Sequence, residues 1–282
     1  MKVVKRITEL RTELSQLKKA GRTIGLVPTM GYLHKGHLSL IDIAGEKCDI
    51  VVTSIFVNPT QFAPNEDLDK YPRDFALDET LAEKHGSDII FYPDVDEMYG
   101  ENYSTYVITE KLSEVLCGAS RKTHFRGVTS VVAKLFNIVQ PDIAVFGRKD
   151  NQQAIIIKRM VADLNFPVEI VTAPIVREKD GLAMSSRNKY LSEEQRKQAP
   201  VIHKALLIAK EKVEAGWIKS DEIRSVIQKI IERSSMAQIE YIEIVEDETL
   251  RKVEEIKAGT FAAVAVYYGT TRLIDNIYLW KK

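Results

Sequence analysis

The fold is decided by residues 23–57, which read TIGLVPTMGYLHKGHLSLIDIAGEKCDIVVTSIFV. Two short apolar runs, residues 23–28 and 49–57, flank a segment long enough for a helix. Apolar runs of this length that are rich in β-branched residues are typical of buried strands. A strand, a helix and a second strand in this order predict a right-handed crossover between two parallel strands.

The same alternation continues along the chain. Further strand-like runs occupy residues 88–93, 142–147 and 168–174, with helical patterns between them. Repeated alternation predicts a parallel sheet covered by helices on both faces, which is a doubly wound, Rossmann-like α/β fold. The first 21 residues are predicted to form an amphipathic helix.

The pattern changes after residue 176. Two helical stretches, residues 192–216 and 220–234, precede three strand-like runs, and Gly269 to Thr271 predicts a tight turn between the last two. Helices followed by strands indicate a smaller α+β domain. We therefore predict two domains, residues 1–176 and 177–282.

Composition excludes several classes of protein. The 282 residues include 40 basic and 40 acidic side chains and are 45% hydrophobic, so nothing indicates a nucleic-acid or membrane partner. Cys48 and Cys117 are too few for a disulfide framework, which favours the cytoplasm. Charges interrupt the N-terminal apolar runs, so no signal peptide or membrane span is expected.

Ligands of open parallel sheets bind at the carboxyl ends of the strands, so the residues that follow each strand are the candidate site. After the first strand, His34 and His37 lie at a helix start, where backbone N–H groups and the helix dipole favour an anion such as a triphosphate. Gly36 leaves room for a purine or phosphate to approach the backbone. An isolated histidine pair of this spacing is more often an ordinary helix start, so its context matters.

Neutral amides follow the second strand. Asn58 and Gln61 supply donors and acceptors suited to orienting a hydroxy acid, and a simple Asn-Pro turn is the alternative.

Charged groups follow a later strand. Lys149 is suited to phosphate oxygens, Asp150 to ribose hydroxyls and Gln153 to the acid, and a solvated basic loop is the alternative. Near the domain boundary, two serines and Arg187 are suited to β- and γ-phosphates, and a Ser-rich linker is the alternative.

Together these segments resemble the pantothenate synthetase (pantoate–β-alanine ligase) family of the nucleotidyltransferase superfamily with an HxGH motif. The resemblance covers about residues 23 to 192 and rests on VPTMGYLHKGHLSL, FVNPTQF with the downstream YPR, HFRGVTSVVAKLFNIVQPDIAVFGRKDNQQ, and MSSRNKYLS. It implies that ATP activates (R)-pantoate as a pantoyl-adenylate, releasing pyrophosphate, and that β-alanine then gives pantothenate and AMP. It also implies Mg²⁺ with the ATP and a homodimer.

The resemblance further implies the site residues. The catalytic residues would be His34, His37, Lys149 and Arg187, with His37 as the assigned proton donor. Gln61 and Gln153 would hold pantoate beside Asn58, and Gln61 would also border β-alanine. The ATP site would comprise Met30, Gly31, Tyr32, Leu33, His34, Lys35, Gly36, His37, Gly147, Arg148, Lys149, Asp150, Val176, Met184, Ser185, Ser186 and Arg187.

Two positions depart from the family pattern: Arg148 stands where an acidic residue is expected, and Asn151 where an aromatic residue is expected. Mg²⁺ is expected to take its ligands from ATP and water, with Asp78 either an outer-shell contributor or an exposed helix acid. The second domain and the loop at residues 184–188 are expected to close over the adenylate.

Three alternatives use the same histidine motif. A nucleotidyltransferase acting on a phosphorylated acceptor would need more basic residues at the strand ends than Asn58, Gln61 and Gln153 supply. A nucleotide-binding regulator without catalysis is hinted at by Arg148 alone. A class I aminoacyl-tRNA synthetase fragment is less favoured because no basic anticodon-type module is present.

Overall fold

The chain folds as two compact units, each assembled from more than one segment. Unit 1 contains Met1–Glu114, Gly118–Arg148 and Ile156–Pro174, and unit 2 contains Val115–Cys117, Lys149–Ile155 and Ile175–Lys282. The computed structural model describes residues 1–64 and 66–280. The domain boundary predicted between residues 176 and 177 stays a prediction.

Unit 1 is built on a parallel sheet. Its strands are β1 (Lys2–Val4), β2 (Ile24–Thr29), β3 (Ile50–Ile55), β4 (Ile89–Phe91), β5 (Ile143–Gly147) and β6 (Glu169–Ala173). Their order is β1-β4-β3-β2-β5-β6, and neighbouring strands are parallel. This confirms the predicted Rossmann-like sheet.

Helices pack on both faces of this sheet. The helices up to β6 are α1 (Ile7–Lys19), α2 (Lys35–Lys47), α3 (Phe75–Lys84), α4 (Val95–Met98), α5 (Cys117–Ser120), α6 (His124–Val139) and α7 (Asn151–Asp163). Successive residues of β2 point to opposite faces of the sheet and enter two apolar cores. Leu26 packs with α1 and α6, and Val27 packs with α2. The apolar side chains of α6 therefore belong to the core. Within the part of the chain that the structure describes, no helix is long and apolar enough to span a bilayer.

The N-terminal segment corrects one prediction. Residues 1–21 were predicted as a helix, but Lys2–Val4 pairs in parallel with β4 and the helix begins only at Ile7. A strand of three residues is too short to show a periodic pattern, so only its pairing with β4 defines it.

Unit 2 combines helices with an antiparallel sheet. The elements are α8 (Glu193–Gln198), α9 (Val201–Glu214), α10 (Ser220–Ile231), β7 (Ala237–Glu246), β8 (Thr260–Tyr268) and β9 (Thr271–Trp280). The predicted helical stretch at residues 192–216 is divided at Pro200, which has no N–H to continue a helix. The predicted turn between β8 and β9 is confirmed, with a positive φ at Gly269.

Candidate active site

The loop between β2 and α2 turns through two consecutive residues with positive φ. Gly31 has φ of 81° and Tyr32 has φ of 52°. Glycine adopts this conformation without steric cost, but a tyrosine there is strained and needs support from its surroundings. The turn delivers the chain to His34, the N-cap of α2.

A buried carboxylate supports this turn. The backbone N–H of Tyr32 donates to Asp78 Oδ2 at 2.8 Å, and that of Leu33 donates to Oδ1 at 2.6 Å. A Cβ on Gly31 would lie 2.8 Å from Asp78 Oδ2, so this approach needs glycine. Burial raises the pKa of the Asp78 carboxyl group, although the two backbone hydrogen bonds oppose the shift. The prediction of an exposed helix acid is wrong, because the side chain is 1% exposed.

The two histidines form a stacked pair at the start of α2. The ring centroids of His34 and His37 are 4.0 Å apart. His34 Nδ1 accepts from the N–H of Gly36 at 3.1 Å, and His37 Nδ1 accepts from the N–H of His34 at 3.4 Å. Since Nδ1 accepts in both rings, each neutral imidazole carries its proton on Nε2. Two of the backbone N–H groups at this helix start, which were predicted to bind an anion, therefore donate to the imidazole rings instead. The donors that the histidines themselves offer are the Nε2–H groups.

A polar turn follows β3 and contacts the loop between β2 and α2. Asn58 caps a short 3-10 helix, Pro59–Gln61, by accepting from the N–H of Thr60 at 3.3 Å. Asn58 and Gln61 are both buried, and Gln61 Nε2 lies 2.9 Å from Met30 Sδ. The residues that follow two adjacent strands therefore meet, as expected for parallel strands.

His124, at the start of α6, and Arg121, just before it, hold the backbone of this turn. The carbonyl of Gln61 accepts from His124 Nδ1 at 2.9 Å and from Arg121 Nη2 at 3.4 Å. Arg121 also makes two hydrogen bonds of 2.6 Å to the carboxylate of Glu66. Burial acts to raise the pKa of Glu66, but the hydrogen bond and charge of Arg121 outweigh it and lower the pKa. Sequence analysis missed this pair, because nothing local connects residues 55 positions apart.

A cavity of about 190 Å³ opens at the carboxyl ends of β2, β3 and β4. Met30, Phe56 and Tyr92 line it from the three strand ends, and Arg73 and Asp78 line it from the start of α3. The loop after β2 therefore borders an accessible space within unit 1.

The charged segment after β5 lies mainly in unit 2. Lys149 Nζ is 3.6 Å from the Asp150 carboxylate, and the carbonyl of Lys149 accepts from Asn276 Nδ2 at 3.0 Å. Asn151, where an aromatic residue was expected, is 5% exposed. Its Nδ2 has no hydrogen-bond partner among residues 1–64 and 66–280.

The two glutamines that begin α7 differ in their surroundings. Gln152 is buried, and its amide accepts from the N–H of Cys117 at 3.0 Å and donates to the carbonyl of Val115 at 2.7 Å. Gln153 is only half-buried. Gln152 thus holds the segment at residues 115–117, whereas Gln153 remains a candidate for binding the acid substrate.

Val176 and Met184, predicted as separate parts of the nucleotide site, are neighbours on a hairpin. The N–H of Met184 donates to the carbonyl of Val176 at 3.0 Å, and the hairpin turns at Gly181 with φ of 93°. Arg177 anchors the hairpin through hydrogen bonds of 2.6 and 3.0 Å to the carboxylate of Asp275.

The serine segment that follows is folded into a further 3-10 helix, Ser186–Tyr190. Ser185 caps it by accepting from the N–H of Arg187 at 3.2 Å, and Ser186 is 9% exposed. Asn188 Nδ2 donates to the carbonyl of Ala183 at 3.1 Å, which ties the segment back to the hairpin. Ser185, one of the predicted phosphate ligands, therefore also caps this short helix.

The candidate residues divide between the two units. Unit 1 brings Met30–His37 together with Asn58 and Gln61, and it also carries Gly147 and Arg148. Unit 2 carries Lys149, Asp150, Gln153, Val176 and Met184–Arg187.

Comparison with known proteins gives a consistent match over the full chain. The family model described as pantoate-beta-alanine ligase matches residues 2–278. The pantothenate synthetase of Caldicellulosiruptor bescii is 53% identical over 282 residues, covering 100% of both chains. That of Acetivibrio thermocellus is 54% identical over 277 residues, covering 98% of this chain and 99% of the other.

Two solved structures are similar throughout. The pantothenate synthetase of Thermus thermophilus has a TM-score of 0.95 and 44% identity, covering 99% of this chain and 100% of the other. The pantoate-beta-alanine ligase of Francisella tularensis, described as complexed with beta-gamma ATP and beta-alanine, has a TM-score of 0.82 and 32% identity. That match covers 99% of this chain and 98% of the other.

Proposed function

This chain belongs to the pantoate–β-alanine ligase family, whose activity is the ATP-dependent ligation of pantoate and β-alanine, and on that premise we propose that it reacts through a pantoyl-adenylate. The observation that carries the residue assignments is the contact of Gln61 with Met30, in the loop that leads to the His34–His37 pair at one edge of the sheet. The loop offers imidazole donors suited to phosphate, and Gln61 offers a neutral amide suited to an acid. The Francisella tularensis complex supports ATP and β-alanine as ligands of this chain too.

In the first step, a carboxylate oxygen of pantoate attacks the α-phosphorus of ATP, and the bond from that phosphorus to pyrophosphate breaks. Both reactants are anionic, so alignment and neutralisation of charge dominate. We assign the Nε2–H groups of His34 and His37 to the phosphates, with His37 as the proton donor to an oxygen of the departing pyrophosphate. Lys149 and Arg187 offset charge on the departing pyrophosphate.

The remaining assignments concern orientation. Gln61 and Gln153 hold pantoate, with Asn58 behind Gln61. The remaining contacts to the nucleotide come from Met30–Leu33, Lys35, Gly36, Gly147, Arg148, Asp150, Val176 and Met184–Ser186. In the second step the amine of β-alanine attacks the acyl carbon beside Gln61. The bond from that carbon to AMP breaks, and the amine loses a proton.

The assignment is tested by single-turnover adenylation with MgATP and (R)-pantoate. Loss of one preorganised electrostatic donor typically costs about 10²–10³ in rate, and we expect this for His37→Ala, Lys149→Ala and Arg187→Ala. Arg159→Ala is the matched control, because its side chain is 49% exposed on α7. A variant that adenylates pantoate at the wild-type rate removes that residue from the mechanism.

The intermediate is tested by following products with and without β-alanine. Pantoate-dependent pyrophosphate release, with pantothenate and AMP sustained only when β-alanine is added, supports the adenylate route. Absence of pantoate-dependent pyrophosphate release despite ATP binding would reject it.

Mg²⁺, a homodimer and a cytoplasmic location are also part of the proposal. Mg²⁺ usually keeps several waters and binds through substrate phosphates. Asp78 is kept as an outer-shell contributor, because each of its carboxylate oxygens already accepts one backbone hydrogen bond. Cys48 and Cys117 are free thiols, which suits the reducing cytoplasm.

A further inference from the structure

The side chain of Asn58 has a single amide orientation. Its Oδ1 accepts from the N–H of Thr60 at 3.3 Å, and its Nδ2 donates to the carbonyl of Gly127 at 3.1 Å. A backbone N–H can only donate and a carbonyl can only accept, so exchanging the two amide atoms would spoil both contacts. Asn58 Nδ2, which also lies 3.2 Å from Gln61 Oε1, is therefore a donor to Gln61.

This orientation is passed on to Gln61. Because Asn58 Nδ2 can only donate, the Gln61 atom that faces it is the acceptor Oε1. Gln61 Nε2 therefore points the other way, to within 2.9 Å of Met30 Sδ in the loop after β2. A thioether is a weak acceptor, so this contact does little to satisfy an amide NH₂ group. Gln61 thus presents donors at the loop that carries the histidines.

Tyr99 makes the shortest of these hydrogen bonds to Asn58. Its hydroxyl donates to Asn58 Oδ1 at 2.7 Å and lies 3.4 Å from Thr60 Oγ1. Burial raises the pKa of Tyr99 to about 12, so the phenol stays protonated in neutral solution. Its ring packs against Tyr103, with 4.8 Å between the centroids. Because Asn58 Oδ1 can only accept, the Tyr99 hydroxyl is the donor of this bond, and the packing of the ring holds it in place.

We infer that Tyr99 is a positioning residue that acts through Asn58 to direct the NH₂ group of Gln61 toward the carboxylate of the acid substrate. The inference rests on the proposed function, in which Gln61 contacts pantoate. A carboxylate can only accept, so a flipped amide would set Gln61 Oε1 against it and replace attraction with repulsion. The relay thereby favours a substrate that presents acceptor oxygens at this position.

Tyr99→Phe tests the relay, because it removes the hydroxyl and keeps the ring. Asn58 Oδ1 retains the N–H of Thr60 and the Thr60 hydroxyl, which donates to it at 3.0 Å, so the loss of one hydrogen bond is expected to raise the KM for pantoate about 3–10-fold. The KM for ATP should stay at the wild-type value. Tyr103→Phe is the matched control, since it removes a hydroxyl from the same aromatic cluster and leaves the Asn58 contacts intact. Thermal unfolding of both variants checks that the fold is kept.

A double-mutant cycle with Gln61→Ala separates positioning from a general structural effect. If Tyr99 acts through Gln61, Tyr99→Phe raises the KM for pantoate in the wild-type background and not in the Gln61→Ala background. An equal effect in both backgrounds, or no effect in the wild type while Gln61→Ala is impaired, overturns this inference alone. A wild-type KM for pantoate in Gln61→Ala overturns the assignment of Gln61 in the proposed function, and the relay with it.

Discussion

Asp78→Asn tests how the strained turn after β2 is held. The carboxylate accepts from the N–H groups of Tyr32 and Leu33, whereas an asparagine amide can accept from only one and sets its own NH₂ group against the other. A buried donor left unsatisfied costs about 1–3 kcal/mol, and a hydrogen bond to a charged group contributes about 1.5–3 kcal/mol. Because the net shift raises the pKa, burial costs the charged carboxylate more than the two hydrogen bonds return, so the expected loss rests on the backbone N–H that asparagine leaves unsatisfied. We expect the free energy of unfolding to fall by about 2 kcal/mol.

The assay is urea denaturation of wild type and variant, together with calorimetric titration of ATP. ATP binding should weaken because the backbone at residues 31–33 loses its support. Asp74→Asn is the matched control: Asp74 is exposed and caps the same helix by accepting from the N–H of Leu77 at 3.1 Å. Asparagine caps a helix as well as aspartate does, so this control should keep the wild-type midpoint. Wild-type stability and ATP affinity in Asp78→Asn would refute the supporting role.

The pH dependence of the same variant tests the balance of forces on the carboxyl group. Because burial raises the folded-state pKa above 3.8, the folded protein binds this proton more tightly than the unfolded chain. The stability that Asp78 contributes is therefore fully present below its ordinary pKa and is lost as pH rises through the raised pKa. The difference in unfolding free energy between wild type and Asp78→Asn should narrow over that interval. A difference that widens with pH would mean that the backbone hydrogen bonds outweigh burial.

Two further substitutions test other contacts. Gly127→Ala would place a Cβ 2.4 Å from the carbonyl oxygen of Thr60 and 2.6 Å from Gln61 Cα, so we expect a loss of about 1–3 kcal/mol and a raised KM for pantoate. Denaturation and steady-state kinetics check both effects, and a wild-type KM would show that the turn relaxes without cost. Asp275→Ala leaves Arg177 without its carboxylate partner and should cost about 3–5 kcal/mol, because Asp275 is 3% exposed. Thermal unfolding measures this cost, and an unchanged melting temperature would contradict it.

The sheet was predictable because its central strands are short, apolar and buried on both faces. The runs assigned to β2 and β5 match the observed strands closely, since burial on both faces requires continuous apolar sequence. The edge strand β1 was not predictable, because three residues are too few to show a hydrophobic period and because the strand pairs with β4, which is distant in the chain.

The local chemistry of the site could be predicted from the sequence. Helix capping spans three residues, so the spacing of His34, Gly36 and His37 by itself determined a histidine pair at a helix start. The neutral character of Asn58 and Gln61 was equally visible, and so was their place after a strand.

Tertiary structure alone decided what holds these groups. Asp78 lies 46 residues from the N–H of Tyr32 that donates to it, and Tyr99 lies 41 residues from Asn58. A hydrogen bond depends on the positions of two atoms in space, and no local pattern encodes a partner so far along the chain. The sequence determined which chemical groups follow each strand, and the packing of α3 and of the segment after α4 against the sheet decided how those groups are oriented.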